Sequence, residues 1–142
     1  MRLQPDVPTD PGRYAFVHRL RVRFAETDAM GVAHHASYLP YLEEARVEYL
    51  RSVGHPYDVL RGEGVDLAVV EAAVSYHKPL RFDDPVDVHL KLSWARGAAC
   101  QIDYLLTVDG ALRATAATVH GATAPSGRPV RLPSWLVAVA NS

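Results

Sequence analysis

Apolar and polar residues follow two periods along this chain. Over residues 14–24 the apolar positions alternate: Tyr14, Phe16, His18, Leu20, Val22 and Phe24 share one face, and Arg19, Arg21 and Arg23 the other. Period two over that length predicts a half-buried strand. The period then changes. Tyr38, Tyr41, Leu42, Ala45, Tyr49 and Val53 fall on one face at 3.6-residue spacing, which predicts a helix over residues 38–53. Leu39 and Leu50 widen its apolar zone, so the helix is expected to be covered on more than one side. Ser37 stands where an N-cap is expected, Pro40 falls in the first turn, and Gly54 suits the C′ position.

Alternation returns after a Gly- and Pro-containing loop at residues 55–64. Residues 65–77 are Val-rich and stop before Pro79. Residues 86–94 place Val86, Val88, Leu90, Leu92 and Trp94 against Asp87, His89, Lys91 and Ser93. Cys100, Ile102, Tyr104, Leu106 and Val108 repeat the pattern, and Asp109-Gly110 is a two-residue hairpin turn into a last strand at residues 111–123. One strand, one helix and four more strands with short links predict an α+β domain: an antiparallel sheet of about five strands wrapped around one central helix. A single helix covers only part of such a sheet and leaves its edges open. A homo-oligomer, dimer or tetramer, is therefore expected.

Composition narrows the class. With 142 residues, 49% hydrophobic and 22% charged, the chain suits a single globular domain. Residues 1–12, with Pro5, Pro8, Pro11, Asp6 and Asp10, read as a flexible lead-in to a domain over residues 13–142. They hold no apolar stretch of a secretory signal, and no run of the chain is long enough to span a membrane, so a cytoplasmic setting is expected. Fifteen basic and sixteen acidic residues give a net charge of −1, which argues against nucleic-acid binding. The one cysteine, Cys100, excludes an intrachain disulfide framework and reads as a small core residue. No metal-ligand spacing, nucleophile elbow, dinucleotide fingerprint or P-loop is present, so no metal and no cofactor is expected.

Candidate chemistry concentrates in residues 26–35, Glu-Thr-Asp-Ala-Met-Gly-Val-Ala-His-His, between the first strand and the helix. A helix start offers free amides and a positive dipole end, which can stabilise a carbonyl oxygen gaining charge. Asp28 can serve as nucleophile or general base there, Gly31 lets backbone approach a ligand, and His35 stands at the helix entrance. Asp, Thr and Gly ahead of a helix are equally ordinary turn residues.

Residues 23–46, with Asp28-Ala-Met-Gly31, His35, Tyr38 and Glu43-Glu-Ala-Arg46, resemble the signature of hotdog-fold acyl-CoA thioesterases. The nearest relation is the 4-hydroxybenzoyl-CoA thioesterase family, in particular its YbgC-like bacterial branch. Residues 69–86 and the Trp94-Ala-Arg96-Gly97 turn extend the resemblance, which covers about residues 14–123. It implies hydrolysis of a small or medium acyl-CoA, aliphatic or aromatic, with Asp28 as the catalytic carboxylate and His35 lining the thioester site. Coenzyme A would arrive as part of the substrate. Amides of about residues 32–37 would polarise the carbonyl. Gly31, Val32 and Tyr38 would contact substrate, and Lys78 and Arg96 would meet the CoA phosphates, with Arg128 and Arg81 as further basic candidates. Some members carry Tyr four residues before the Asp, where this chain has Phe24. Glu43 and Arg46 lie off the apolar stripe and read as structural. Two other readings use the same residues: a hotdog hydratase or dehydratase pairing Asp28 with His35, and a non-catalytic acyl-thioester-binding protein.

Overall fold

The computed structural model describes residues 3–142. Its central helix, α1 (Tyr38–Ser52), buries Tyr38, Tyr41, Leu42, Ala45, Tyr49 and Leu50, the predicted stripe widened on one flank. Leu39, on the other flank, stays half exposed, so a single copy of the chain covers only one side of the helix. Ser37 does not cap α1. A 3-10 turn, His35–Ser37, precedes the helix, and His34 Nδ1 caps that turn by accepting from the Ala36 amide at 3.0 Å. The Ser37 hydroxyl donates instead to the Glu26 carbonyl at 3.0 Å. At the other end Gly54 takes φ 82°, its amide bonds to Arg51 O, and the His55 amide bonds to Leu50 O, the paired closure of a Schellman motif.

Five strands form one antiparallel sheet among the described residues: β1 (Phe16–Arg21), β2 (Asp66–Tyr76), β3 (Pro85–Arg96), β4 (Ala99–Val108) and β5 (Ala111–Thr123), in the order β1-β3-β4-β5-β2. Asp109 and Gly110 both take positive φ, as a tight β4–β5 hairpin requires. Leu90, Tyr104 and Ala116 lie side by side on the face that packs against α1, and Val86, Val88 and Leu106 extend this core. Two short helices lie outside the predicted set: α2 (Tyr57–Gly62), inside the expected loop, and α3 (Ser134–Ala140), beyond the last predicted strand. The Trp135 ring of α3 stacks on His55 at 3.9 Å, a contact 80 residues apart in the chain (135 minus 55) that no local pattern announces.

Phe24 does not continue the buried face of β1; it sits in a 3-10 turn, 76% exposed, edge-on to Phe82. The first strand therefore ends at Arg21. Within residues 3–12, Leu3 and Gln4 lie on the sheet face opposite α1. Leu3 packs on Ala117 and Val119, and Gln4 exchanges two hydrogen bonds with the Gln101 side chain, at 2.7 and 2.8 Å. That strap, with Tyr14, covers an outer face on which Gln101, Asp103, Thr107 and Thr115 are buried. Burial pushes the Asp103 carboxyl above its usual range.

The centre of the sheet and its far edge differ sharply. Every residue of β4 after Ala99 is buried, whereas β2 exposes Val69, Val70, Ala72, Ala73, Ser75 and Tyr76. An apolar edge strand with unpaired backbone groups is what the open-edge expectation anticipated.

Candidate active site

The loop that carries Asp28 is folded by its own backbone. The Asp28 amide donates to Val32 O at 2.8 Å, the Gly31 amide donates to Asp28 O at 3.0 Å, and Thr27 pairs with Ala33. Gly31 takes φ 79°, which a side chain would resist, and the space where its Cβ would stand is open. Asp28 Oδ1 accepts from the amides of Met30 at 2.8 Å and Val32 at 3.3 Å. One carboxylate oxygen is thus fixed by the turn, while Oδ2 has no protein partner among the described residues.

The same hydrogen bonds decide which amides remain for a substrate. Of the donors at residues 32–37, Val32 gives to Asp28 Oδ1, Ala33 to Leu80 O, His34 to Glu26 O, Ala36 to His34 Nδ1 and Ser37 to His34 O. Only the His35 amide has no protein acceptor among the described residues. The broad group of carbonyl-polarising amides expected from the sequence narrows to one, and the Val32 amide is already engaged.

Glu26, quoted in the motif but given no role, is the hub of the loop. Its Oε1 accepts from the Arg23 amide and the Tyr41 hydroxyl, both at 2.8 Å, and its Oε2 from Arg23 Nε at 3.0 Å. Burial alone would push this carboxyl up. The Arg23 amide, the Tyr41 hydroxyl and the Arg23 guanidinium outweigh it and hold the group below the usual carboxylate range. The Tyr41 phenol, buried and facing that carboxylate, is pushed up in turn. A hint was present: Arg23-x-x-Glu26 has the spacing of a capping box, and Tyr41 is a hydroxyl on an apolar stripe. The loop is also strapped from behind. Val32 bridges to Arg81, and Arg113 Nη1 donates to Pro79 O at 2.7 Å and reaches Asp84 at 3.4 Å.

A shallow cavity of about 270 Å3 opens beside the helix start, lined by His35, Tyr38, Tyr76, Lys78 and their neighbours. Three sequence-predicted residues, His35, Tyr38 and Lys78, therefore meet at one place. The Tyr38 ring is buried edge-on to Tyr76 at 4.9 Å, and burial pushes its hydroxyl up. Asp28, half buried, borders the loop but does not line this cavity, nor do Gly31 and Val32. Arg96 is not brought here. It lies on the β3–β4 turn at the opposite end of the sheet, over the Trp94 ring at 4.7 Å. Arg128 sits in the exposed turn after β5, near the same end, and Arg81 serves the loop through its backbone.

The Thioesterase-like superfamily profile matches residues 22–139, which takes in the loop, the helix and every strand but the first. The chain belongs to that superfamily. The thioesterase YbgC of Haemophilus influenzae is 34% identical over 121 residues, 83% of this chain and 88% of that one. Crystal structures of hypothetical proteins from Aquifex aeolicus and Thermus thermophilus superpose with TM-scores of 0.83 and 0.82, at 38% and 36% identity. Each alignment covers 88% of this chain, with 98% and 96% of theirs. The antiparallel sheet wrapped on α1 is thus a hotdog fold, as the first motif implied. Among the described residues no helix is long and apolar enough to cross a membrane.

Proposed function

We propose that this thioesterase-superfamily chain hydrolyses the thioester of a small or medium acyl-CoA to free acid and CoA, with Asp28 as the reacting carboxylate. The observation that carries this reading is the division of labour within one loop. Two amides hold Asp28 Oδ1 and leave Oδ2 free, next to a helix start whose His35 amide is also free. Oδ2 either takes a proton from the attacking water or attacks the carbonyl carbon to give a mixed anhydride that water then opens. The oxygen that gains charge is met by the His35 amide at the positive end of α1. The thiolate leaves without a strong acid. Lys78, which lines the same cavity, would meet the CoA phosphates.

The site is built from two copies. The exposed apolar edge of β2 pairs with a second copy antiparallel about a two-fold axis, which covers Val69, Val70 and Tyr76. Such pairing sets the Tyr76 end of one β2, which borders the His35 cavity, beside the Leu67 end of the other.

A thiol-release assay over benzoyl-CoA and a series of straight-chain acyl-CoAs tests the activity. Turnover by the native protein and its loss in Asp28→Ala is the expected result. Conversion of enoyl-CoA without thiol release, or binding without turnover, would overturn it. Label in the Asp28 carboxylate after a single turnover in heavy-oxygen water identifies the anhydride route, with water opening the anhydride at the aspartyl carbonyl.

A further inference from the structure

Two Arg-Phe pairs, Arg23-Phe24 and Arg81-Phe82, stand far apart in the chain, and the fold brings their rings together. The Phe24 and Phe82 rings meet edge-on, with centroids 5.7 Å apart and planes at 90°. Neither belongs to the core: Phe24 is 76% exposed and Phe82 55%. Met30, at the tip of the Asp28 loop, is 78% exposed. Isolated apolar side chains on a surface need no explanation. Two phenylalanines in contact, with a methionine on the adjoining loop, form a patch, and such patches mark where something binds. The third phenylalanine of the chain, Phe16, packs on Tyr49 against the core.

The patch adjoins the reacting group. The Thr27 amide and hydroxyl both donate to Phe24 O, at 3.1 and 2.7 Å, so Phe24 opens the turn that leads into Asp28. Four steps of chain keep the Cα atoms of Phe24 and Asp28 within about 14 Å of each other. On the other side, Val32 pairs with Arg81, and the Ala33 amide donates to Leu80 O at 2.7 Å. Residues 80–82 therefore run antiparallel to residues 31–33, and Phe82 follows on the side of Gly31, where the missing Cβ leaves open space. The same segment starts from Lys78, in the wall of the His35 cavity. A path of exposed residues thus leads from that cavity through Lys78 and Arg81 to the two rings. The cations beside it are not all engaged. Arg21 is tied to Asp83, through the carbonyl at 2.9 Å and the carboxylate at 3.5 Å, and Arg113 to Asp84 at 3.4 Å. Arg23 gives Nε to Glu26 and leaves its outer nitrogens without a partner among the described residues. The Arg81 side chain makes no hydrogen bond or ion pair among the described residues.

Exposed ring faces suit a flat ring system, and free guanidiniums suit phosphate oxygens. We propose that the Phe24–Phe82 pair seats the adenine of the substrate's coenzyme A, with Arg81 and Arg23 meeting the phosphate on its ribose and Lys78 the pyrophosphate. The proposal rests on the reading of the chain as an acyl-CoA thioesterase and gives that substrate's nucleotide a place. Arg96, at the opposite end of the sheet, does not provide one. Coenzyme A carries an adenine, a 3′-phosphate and a pyrophosphate on the arm that ends at the thioester sulfur, so a platform set back from Asp28 can hold the nucleotide while the carbonyl reacts. An edge-on pair leaves ring faces uncovered, as stacking of a base requires. The platform touches none of the reacting atoms and binds the nucleotide equally before and during reaction, so its contribution falls on KM and not on kcat.

The test carries one acyl group on coenzyme A, on dephospho-coenzyme A and on pantetheine, and reads thiol release. In the native protein kcat/KM for the coenzyme A thioester should exceed that for the pantetheine thioester by about tenfold or more, through KM. Phe24→Ala combined with Phe82→Ala should cut that ratio by about tenfold, and Phe24→Tyr alone should keep it. A ratio unmoved by the double substitution overturns the proposal. Arg81→Gln should narrow the gap between coenzyme A and its dephospho form by several-fold, and an unchanged gap overturns the part given to Arg81. Aromatic NMR of the native protein covers the case in which the double variant fails to fold. Adenosine 3′,5′-bisphosphate should move the ring signals of Phe24 and Phe82 and spare those of Phe16. Rings that ignore the nucleotide overturn the proposal. So do rings that respond only to protein dilution or to phosphatidylglycerol vesicles, which would give the patch to a second copy or to a lipid surface. Absence of thiol release from every thioester would instead sink the thioesterase reading, and the nucleotide titration would still report on the patch.

Discussion

The two ends of α1 are built by opposite means. At its N-terminal end the Asp28 loop closes chiefly through bonds between near neighbours, Asp28 to Met30, Gly31 and Val32, Arg23 to Glu26, His34 to Ala36 and Ser37, and only Val32 and Ala33 reach out to residues 80 and 81. From its middle, Arg46 joins Tyr104, Thr118 and His120 across three elements, with Arg46 and Tyr104 58 positions apart. The first is half open to solvent and the second is buried. A loop closed locally can be spared by the rest of the fold and spent on chemistry. A network closed at long range is made only when the sheet and helix are already in place, so its loss is felt by the whole domain. Substitutions at the first end should therefore cut turnover and spare stability, and those at the second should do the reverse.

The largest effect is expected from Asp28→Asn. The amide oxygen still accepts from Met30 and Val32, so the turn survives while the reacting carboxylate is gone. Thiol release should fall by about a hundredfold or more, with the urea midpoint nearly unchanged. A large fall in stability would show that the loop, too, is held by the whole fold.

Acid should expose the other end. His120 titrates at about 4 when folded against 6.5 when free. Between those values the unfolded chain binds a proton that the folded chain refuses. Stability is therefore complete above about pH 6.5 and drains as pH falls, by about 2 kcal/mol on reaching about pH 5. His89, also lowered by burial, adds to the slope in the same direction. Urea titrations at the two pH values should show the loss in the native protein and a clearly smaller one in His120→Leu.

Thr118→Val keeps the shape and breaks the chain of protons, leaving the Tyr104 hydroxyl and His120 Nε2 without their partner. A cost of about 1–3 kcal/mol is expected at neutral pH, read from denaturant unfolding. The smallest overall effect belongs to Glu26→Gln. Its carboxylate is partly exposed, and a single amide oxygen can keep only part of its three bonds. Stability should fall by about 1 kcal/mol or less and turnover by several-fold through a loosened loop. Were Glu26→Gln to cost more stability than Thr118→Val, the contrast between the two ends would fail.

Much of this protein was legible in its sequence because the governing interactions are short in range. Period two and period 3.6 marked the five strands and α1. Asp109-Gly110 and Gly54 marked a hairpin and a helix end, since those backbone angles disfavour other residues. The Asp28 motif stood out because its turn is made of neighbours. The strap over the outer face, α2, and the stacking that docks α3 were not legible. Residues 3–12 look like a loose tail until a sheet face with Gln101 and Asp103 lies beside them. Phe24 reads as a buried strand residue until the chain turns at Val22, whose amide bonds to Asp84 O.

The sequence by itself determined the local geometry and the chemical type of the reacting group, because both depend on residues that a turn or a helix brings together unaided. Only the tertiary structure decided which amides stay free, that Arg96 lies far from Asp28, and that the His120 imidazole is buried behind α1. Those outcomes depend on which strands pair and in what register, and burial then sets the protonation of whatever the pairing encloses.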